Sequence, residues 1–152
     1  MAEKINPLQQ KIRWFVYNHF AQQTRSPTIA EAAQALDLPV AQTRAIYHWL
    51  HDNHFLFLEP GHDEVRMANP FSAVPTDFRV HHVDGHRWWA NCAWDALAIP
   101  AMLQIEATVE AACADCREPI TLTVENEQIQ GHGELIHFAL PFKRWYDDLI
   151  FT

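Results

Sequence analysis

No apolar run in this sequence approaches the roughly 20 residues a bilayer span requires, and the opening MAEKINPLQQKIRW lacks the apolar core of a signal peptide. These two absences predict a cytoplasmic chain with no membrane partner. Positive charge is also scarce: 11 Lys and Arg stand against 19 Asp and Glu, for a net charge of -8. Such a chain repels phosphate backbones on average. Cysteine is rare, with only Cys92, Cys113 and Cys116 among 152 residues. An odd number in a reducing compartment argues against a disulfide framework. It leaves metal binding, thiol chemistry or simple burial. Repeats and low-complexity tracts are absent, and 49% hydrophobic with 20% charged residues excludes a disordered chain.

What is present divides into two parts. Residues 11–22 place Ile12, Phe15, Val16, His19 and Phe20 on one helical face. Thr28 and Glu31 read as a capping box before the face Ile29, Ala32, Ala33 and Leu36. Pro39 suits the first position of a third helix, which buries Thr43, Ile46, Tyr47 and Leu50. Two apolar runs, Phe55–Leu58 and Val65–Ala68, flank a Pro60–Gly61 turn and predict a hairpin. Three helices and a hairpin predict a winged-helix-like unit over residues 1–70.

PFSAVPTDF, with Pro70 and Pro75, reads as a linker. Beyond it, residues 78–90 alternate around an Asp84–Gly85 turn. A short helix is predicted over 92–103. Strands are predicted where Ile105, Ala107, Val109, Ala111 and Cys113 alternate, again at Ile120, Leu122 and Val124, and again at Ile136, Phe138 and Leu140. The expected class is α+β, with a small antiparallel sheet and one packed helix over residues 71–152.

Each motif carries a bland reading beside a functional one. A DNA-reading third helix should be cationic. VAQTRAIYHWLHDN offers only Arg44 and Gln42 against Asp52, and the proposed wing, EPGHDE, is acidic. A structural or dimerising role therefore fits better than duplex binding. Cys113-x-x-Cys116 supplies two ligands, whereas zinc normally takes four. Cys113 falls on the apolar parity of its strand and reads equally as a small buried hydrophobe or an auxiliary thiol. Cys116, in a polar turn, reads as a soft-metal contact. The ten histidines are scattered and read as surface or interface residues.

WWANCAWDALAIP, residues 88–100, is the most informative stretch. Asn91 is a good helix N-cap. Cys92 would then sit in the first turn, where the helix dipole lowers a thiol pKa. Asp95 lies one turn on, facing the same way, among apolar neighbours that favour a proton-holding carboxyl. A thiol beside a protonated acid can break a bond by nucleophilic attack and protonation together. The pattern Cys-x-x-Asp also arises by chance, so spacing alone leaves both readings open.

NCAWDALAIPAML followed by ATVEAACADCREPITLTVENEQI resembles the alkylmercury lyase (organomercurial lyase) family over roughly residues 78–140. The shared pattern is Cys-x-x-Asp-x-Leu-x-x-Pro-Ala, a strand reaching a cysteine, then Pro-Ile-x-Leu-x-Val. The resemblance implies that Cys92 is a catalytic thiolate that attacks mercury and Asp95 the residue that protonates the leaving carbon. It implies a structural role for Cys113 and assigns none to Cys116. The family's second catalytic cysteine lies on a later strand. RWYDDLIFT resembles the approach to it and carries no cysteine, so the expectation is either a C-terminus truncated relative to the family or a member without that residue, with Cys113 or Cys116 as candidate substitutes. The implied substrates are small organomercurials with small thiols as partners. The resemblance implies no required cofactor and a mercuric ion as bound product. Zinc is weakly supported. Two rivals stand beside this reading: a winged-helix metal- or thiol-responsive transcriptional regulator, and a noncatalytic mercury- or zinc-binding module using Cys92, Cys113 and Cys116.

Overall fold

A computed structural model describes residues 4–138 and 140–147. Helix α1 spans Pro7–Gln23. It starts at a reciprocal capping box between Asn6 and Gln9, with Pro7 in the first turn. Helix α2 (Ile29–Leu36) starts at the expected Thr28–Glu31 box. Arg25 grips the Glu31 carboxylate from outside. Helix α3 spans Val40–Asp52. Pro39 stands one position earlier than expected, at the N-cap, because its extended ψ of 135° ends the preceding loop.

Eight strands follow: β1 (Phe57–Leu58), β2 (Val65–Ala68), β3 (Phe71–Ser72), β4 (Arg79–His81), β5 (Arg87–Ala90), β6 (Ala107–Ala112), β7 (Pro119–Glu125) and β8 (Gln128–Gln130). Helix α4 (Ala93–Leu103) lies between β5 and β6. All strand pairs are antiparallel, and the order is β1-β2-β3-β5-β4-β6-β7-β8. The architecture is α+β. The helix–hairpin order of the first half is as expected, and its hairpin is the outer edge of this single sheet.

The core joins both halves. Ile12, Val16, Phe20, Tyr47 and Leu50 from the helices meet Phe71, Val80 and Trp88 from the sheet and Ile99 from α4. Phe20 stacks on Phe71 with centroids 5.4 Å apart. The Trp88 indole N–H donates to the Phe20 carbonyl at 2.9 Å, so this large buried ring leaves no polar group unpaired.

Two expectations are corrected. PFSAVPTDF is no linker: Phe71 is fully buried, and β3 pairs with β2 on one side and β5 on the other. Its prolines flank a strand instead of marking a flexible tether. The third strand at Ile136–Leu140 is also absent among the described residues; Ala139 lies outside them, as do residues 148–152 of RWYDDLIFT. The sheet instead ends at β8. Ile136 and Phe138 turn toward a cavity and not into the sheet.

Candidate active site

The end of β5 and the start of α4 place the Cys-x-x-Asp pair. Asn91 is not the N-cap. Cys92 takes that position, with φ of -151° and ψ of 179°, and its carbonyl accepts the first helical bond from the Ala96 N–H at 3.0 Å. The reason lies in the pull on Asn91. Its side-chain nitrogen faces Asn69 Oδ1, the carbonyls of Pro70 and Phe71, and Asp95 Oδ2 at 3.0–3.2 Å. Asn91 therefore ties the β2–β3 turn to the carboxyl of Asp95 and is not free to cap a helix.

The electrostatics differ from the simple helix-dipole expectation. Burial pushes the Cys92 thiol above its ordinary range, and the nearby Asp95 charge pushes it further. The Asp95 and Trp94 backbone N–H groups pull the other way without reversing the rise. Asp95 is also raised, by burial, which outweighs the bonds from Asn91 and Cys92. This matches the expectation for the acid and corrects the one for the thiol. Both groups are thus shifted toward their neutral forms, and burial is the larger cause in each.

Cys92 and Asp95 line one cavity of about 370 Å³. Thr76 fixes the adjoining strand, its hydroxyl donating to the Ala90 carbonyl at 2.6 Å and accepting from the Phe78 N–H at 3.1 Å. The opposite wall comes from the irregular segment after β8, through Ile136, His137, Phe138, Trp145 and Tyr146. Trp94 reaches across to Phe138 at 6.3 Å, and Phe138 stacks on Trp145 at 5.3 Å. Tyr146 in turn stacks on His54 at 4.3 Å, anchoring the wall on the loop after α3. A second cavity, of about 360 Å³, lies between α1 and the end of α4, and its lining has no thiol, carboxyl or imidazole.

Cys113 and Cys116 lie elsewhere, in the β6–β7 turn; neither lines the Cys92 cavity. Among the described residues, no three His, Cys, Asp or Glu side chains converge as a metal group. The three cysteines are therefore not brought into one site. Sequence reasoning missed Asn91 as the partner of Asp95, although their i,i+4 spacing on a helix start was a usable signal. It also missed the aromatic wall, for which the sequence carried no periodic signal.

A family model described as alkylmercury lyase matches residues 71–150. Alkylmercury lyases of Bacillus cereus and Clostridium butyricum are each 40% identical to this chain over 58 residues, 37% of this chain and 25% of theirs. The chain thus matches a quarter of the length of these curated relatives. Among solved structures, the mercury-bound form of MerB2 superposes with a TM-score of 0.68 at 18% identity, over 84% of this chain and 60% of that one. That likeness is one of fold.

Proposed function

The chain belongs to the alkylmercury lyase family, and from that premise we propose that it cleaves the carbon–mercury bond of small organomercurials at Cys92 and Asp95. The observation that carries this reading is the placement of both side chains on one cavity, one helical turn apart, with the carboxyl held from behind by Asn91. In the proposed first step the Cys92 sulfur bonds to mercury and displaces its labile ligand, while the thiol proton passes to the Asp95 carboxylate. Soft thiolates are preferred partners of a soft metal. A small thiol then gives its proton to solvent, adds as a second thiolate and pushes electron density onto the carbon. In the last step the Asp95 proton goes to carbon, the carbon–mercury bond breaks, and hydrocarbon leaves. Mercury remains as a dithiolate and Asp95 returns to its ionised form. Every atom comes from the substrate, the thiols and the carboxyl.

The N-terminal half is read here as winged-helix-like support and not as a DNA reader. Arg44, the cation offered by α3, is bound to Asp63 at 2.8 Å, and His48 contacts the same carboxylate at 2.7 Å. No helix among the described residues is long and apolar enough to cross a membrane. Three free cysteines suit the reducing cytoplasm we propose for it.

The test is benzene release from a phenylmercuric salt with excess small thiol, followed by gas chromatography. Cys92→Ser should abolish turnover. Equal rates for Cys92→Ser and the unmutated chain would refute the assignment.

A further inference from the structure

The Cys-x-x-Cys turn has a construction that the site at Cys92 does not explain. Cys113 ends β6, and a tight turn closes behind it: the Cys113 N–H donates to the Glu118 carbonyl at 2.9 Å, and the Arg117 N–H donates to the Cys113 carbonyl at 3.0 Å. Arg117 adopts a left-handed φ of 62° to make that closure. Cys113 is half-buried and Cys116 is exposed. The two backbone bonds close residues 113–118 into one turn, so both thiols are carried on the same short loop. The Arg117 guanidinium is locked by two bonds to Asp77, at 2.7 and 3.0 Å, and stands near enough to Cys113 for their charges to interact. A closed turn that carries two thiols three residues apart suits one shared soft ion.

The sheet also places this turn. Arg79 of β4 pairs with Trp89 of β5 on one side and Glu110 of β6 on the other. Cys92 follows β5 and Cys113 follows β6, so both run off the same end of the sheet, with only β4 between them. Two strand spacings separate β5 from β6 by roughly 10 Å where both pair with β4.

We propose that Cys113 and Cys116 form a second, two-thiolate docking site for a soft metal ion, with the mercuric ion as its ligand. Two thiolates satisfy a mercuric ion in line, whereas a zinc site would call for further ligands, and no three-ligand group occurs among the described residues. Binding forms two sulfur–mercury bonds and releases the two thiol protons to solvent, with no change of oxidation state. The site would take the ion by thiol exchange, each sulfur–mercury bond made at the turn replacing one broken on the donor thiol. The source of the ion rests on the lyase reading; the site itself does not.

The test uses mercuric chloride alone, so no carbon–mercury bond is involved. The full chain carrying Cys92→Ser is titrated against excess competing monothiol, which also keeps the pair reduced. Binding is followed by the ultraviolet thiolate–mercury absorption and by intact mass. One mercuric ion should be retained per chain. Adding Cys116→Ser, a change at an exposed position, should weaken retention by about 100-fold or more, the gain expected when a second ligand acts intramolecularly. Equal retention with and without Cys116, or no retention by the Cys92→Ser chain, would overturn the proposal. If this binding held while hydrocarbon release failed, the site would stand and the lyase reading would fall.

Discussion

Replacing Asn91 by alanine tests whether the side chain behind Asp95 tunes its proton affinity. The Asn91 amide nitrogen faces four acceptors, the nearest being Asp95 Oδ2 at 3.0 Å. An amide NH2 carries two hydrogens, so two of these contacts at most are full bonds at one time. A bond from a neutral donor favours an ionised carboxylate, and the Asn91 bond indeed opposes the rise that burial causes in Asp95. Removing it lets the carboxyl hold its proton to higher pH. The proposed chemistry begins with Asp95 ionised and ready to take the Cys92 proton. The acid limb of the kcat/KM profile should therefore move to higher pH. A hydrogen bond to a charged group is worth about 1.5–3 kcal/mol, and the low end applies where a cavity admits water. That corresponds to about a tenfold loss of kcat/KM at a fixed pH on the acid limb. Stability should fall by about 1 kcal/mol or less, because the lost bonds are offset by removing the Asn91 Oδ1, a buried acceptor with no partner among the described residues. The assay is hydrocarbon release across pH under saturating small thiol, with thermal melts alongside. A profile lowered evenly at every pH, its acid limb unmoved, would refute the reasoning and leave Asn91 a structural tie only.

Phe71→Ala should cost about 3–5 kcal/mol, because the ring is fully buried against Phe20; a denaturant melt that barely moved would return this segment to a linker. Asp95→Asn should cut hydrocarbon release by about 100-fold or more while leaving mercuric ion bound at Cys92. The same variant should melt higher at neutral pH. Asp95 is raised in the folded state, which therefore binds more protons than the unfolded chain, so native stability declines as pH rises past the ordinary aspartate range; the melting advantage should disappear below that range. Phe138→Ala opens the aromatic wall facing Cys92 and should raise KM for phenylmercury more than for methylmercury, and equal effects on both would remove Phe138 from the substrate-facing wall.

Local rules made the helices legible. The Thr28–Glu31 box and the faces Ile12–Val16–Phe20 and Ile46–Tyr47–Leu50 need only neighbours three or four residues apart, and all are buried or bonded as periodicity requires. The β6 and β7 strands were legible for the same reason, with Val109 set opposite Leu122. Phe71 was not, because Pro70 and Pro75 carry the local signal of a turn and the ring's burial depends on Phe20, which is 51 residues away in the chain (71 minus 20). The alternation Ile136–Phe138–Leu140 misled for the converse reason. Three apolar residues at period two do not ensure pairing: Ile136, His137 and Phe138, consecutive in the chain, all line the cavity from an irregular segment. That Cys92 and Asp95 face one cavity was legible from their spacing, but the identity of the residue holding the acid was not. Asn91 is drawn from the cap by acceptors on the β2–β3 turn, which no local pattern discloses.

That long-range pull bears on how the thiol would be used. A dipole-activated thiolate at a helix start would react with many electrophiles. Cys92 is instead pushed toward its protonated form by burial and by Asp95, so little free thiolate waits in the cavity. Under the proposed chemistry the soft metal takes the place of the proton on sulfur, and the displaced proton has a neighbour whose own burial makes it a willing acceptor. The same raised affinity then makes Asp95 a reservoir that gives the proton up only to a strong base, such as a carbon bearing electron density from two mercury-bound thiolates. Selectivity for mercury and timing of protonation would thus come from one physical cause, the shared burial of a thiol and a carboxyl one helical turn apart. Opening that environment should decouple the two. A polar replacement in the apolar wall would lower both groups toward their ordinary ranges, and should raise the rate at which a general alkylating agent modifies Cys92 while lowering hydrocarbon release. If alkylation and release rose together, burial would not be the source of the selectivity.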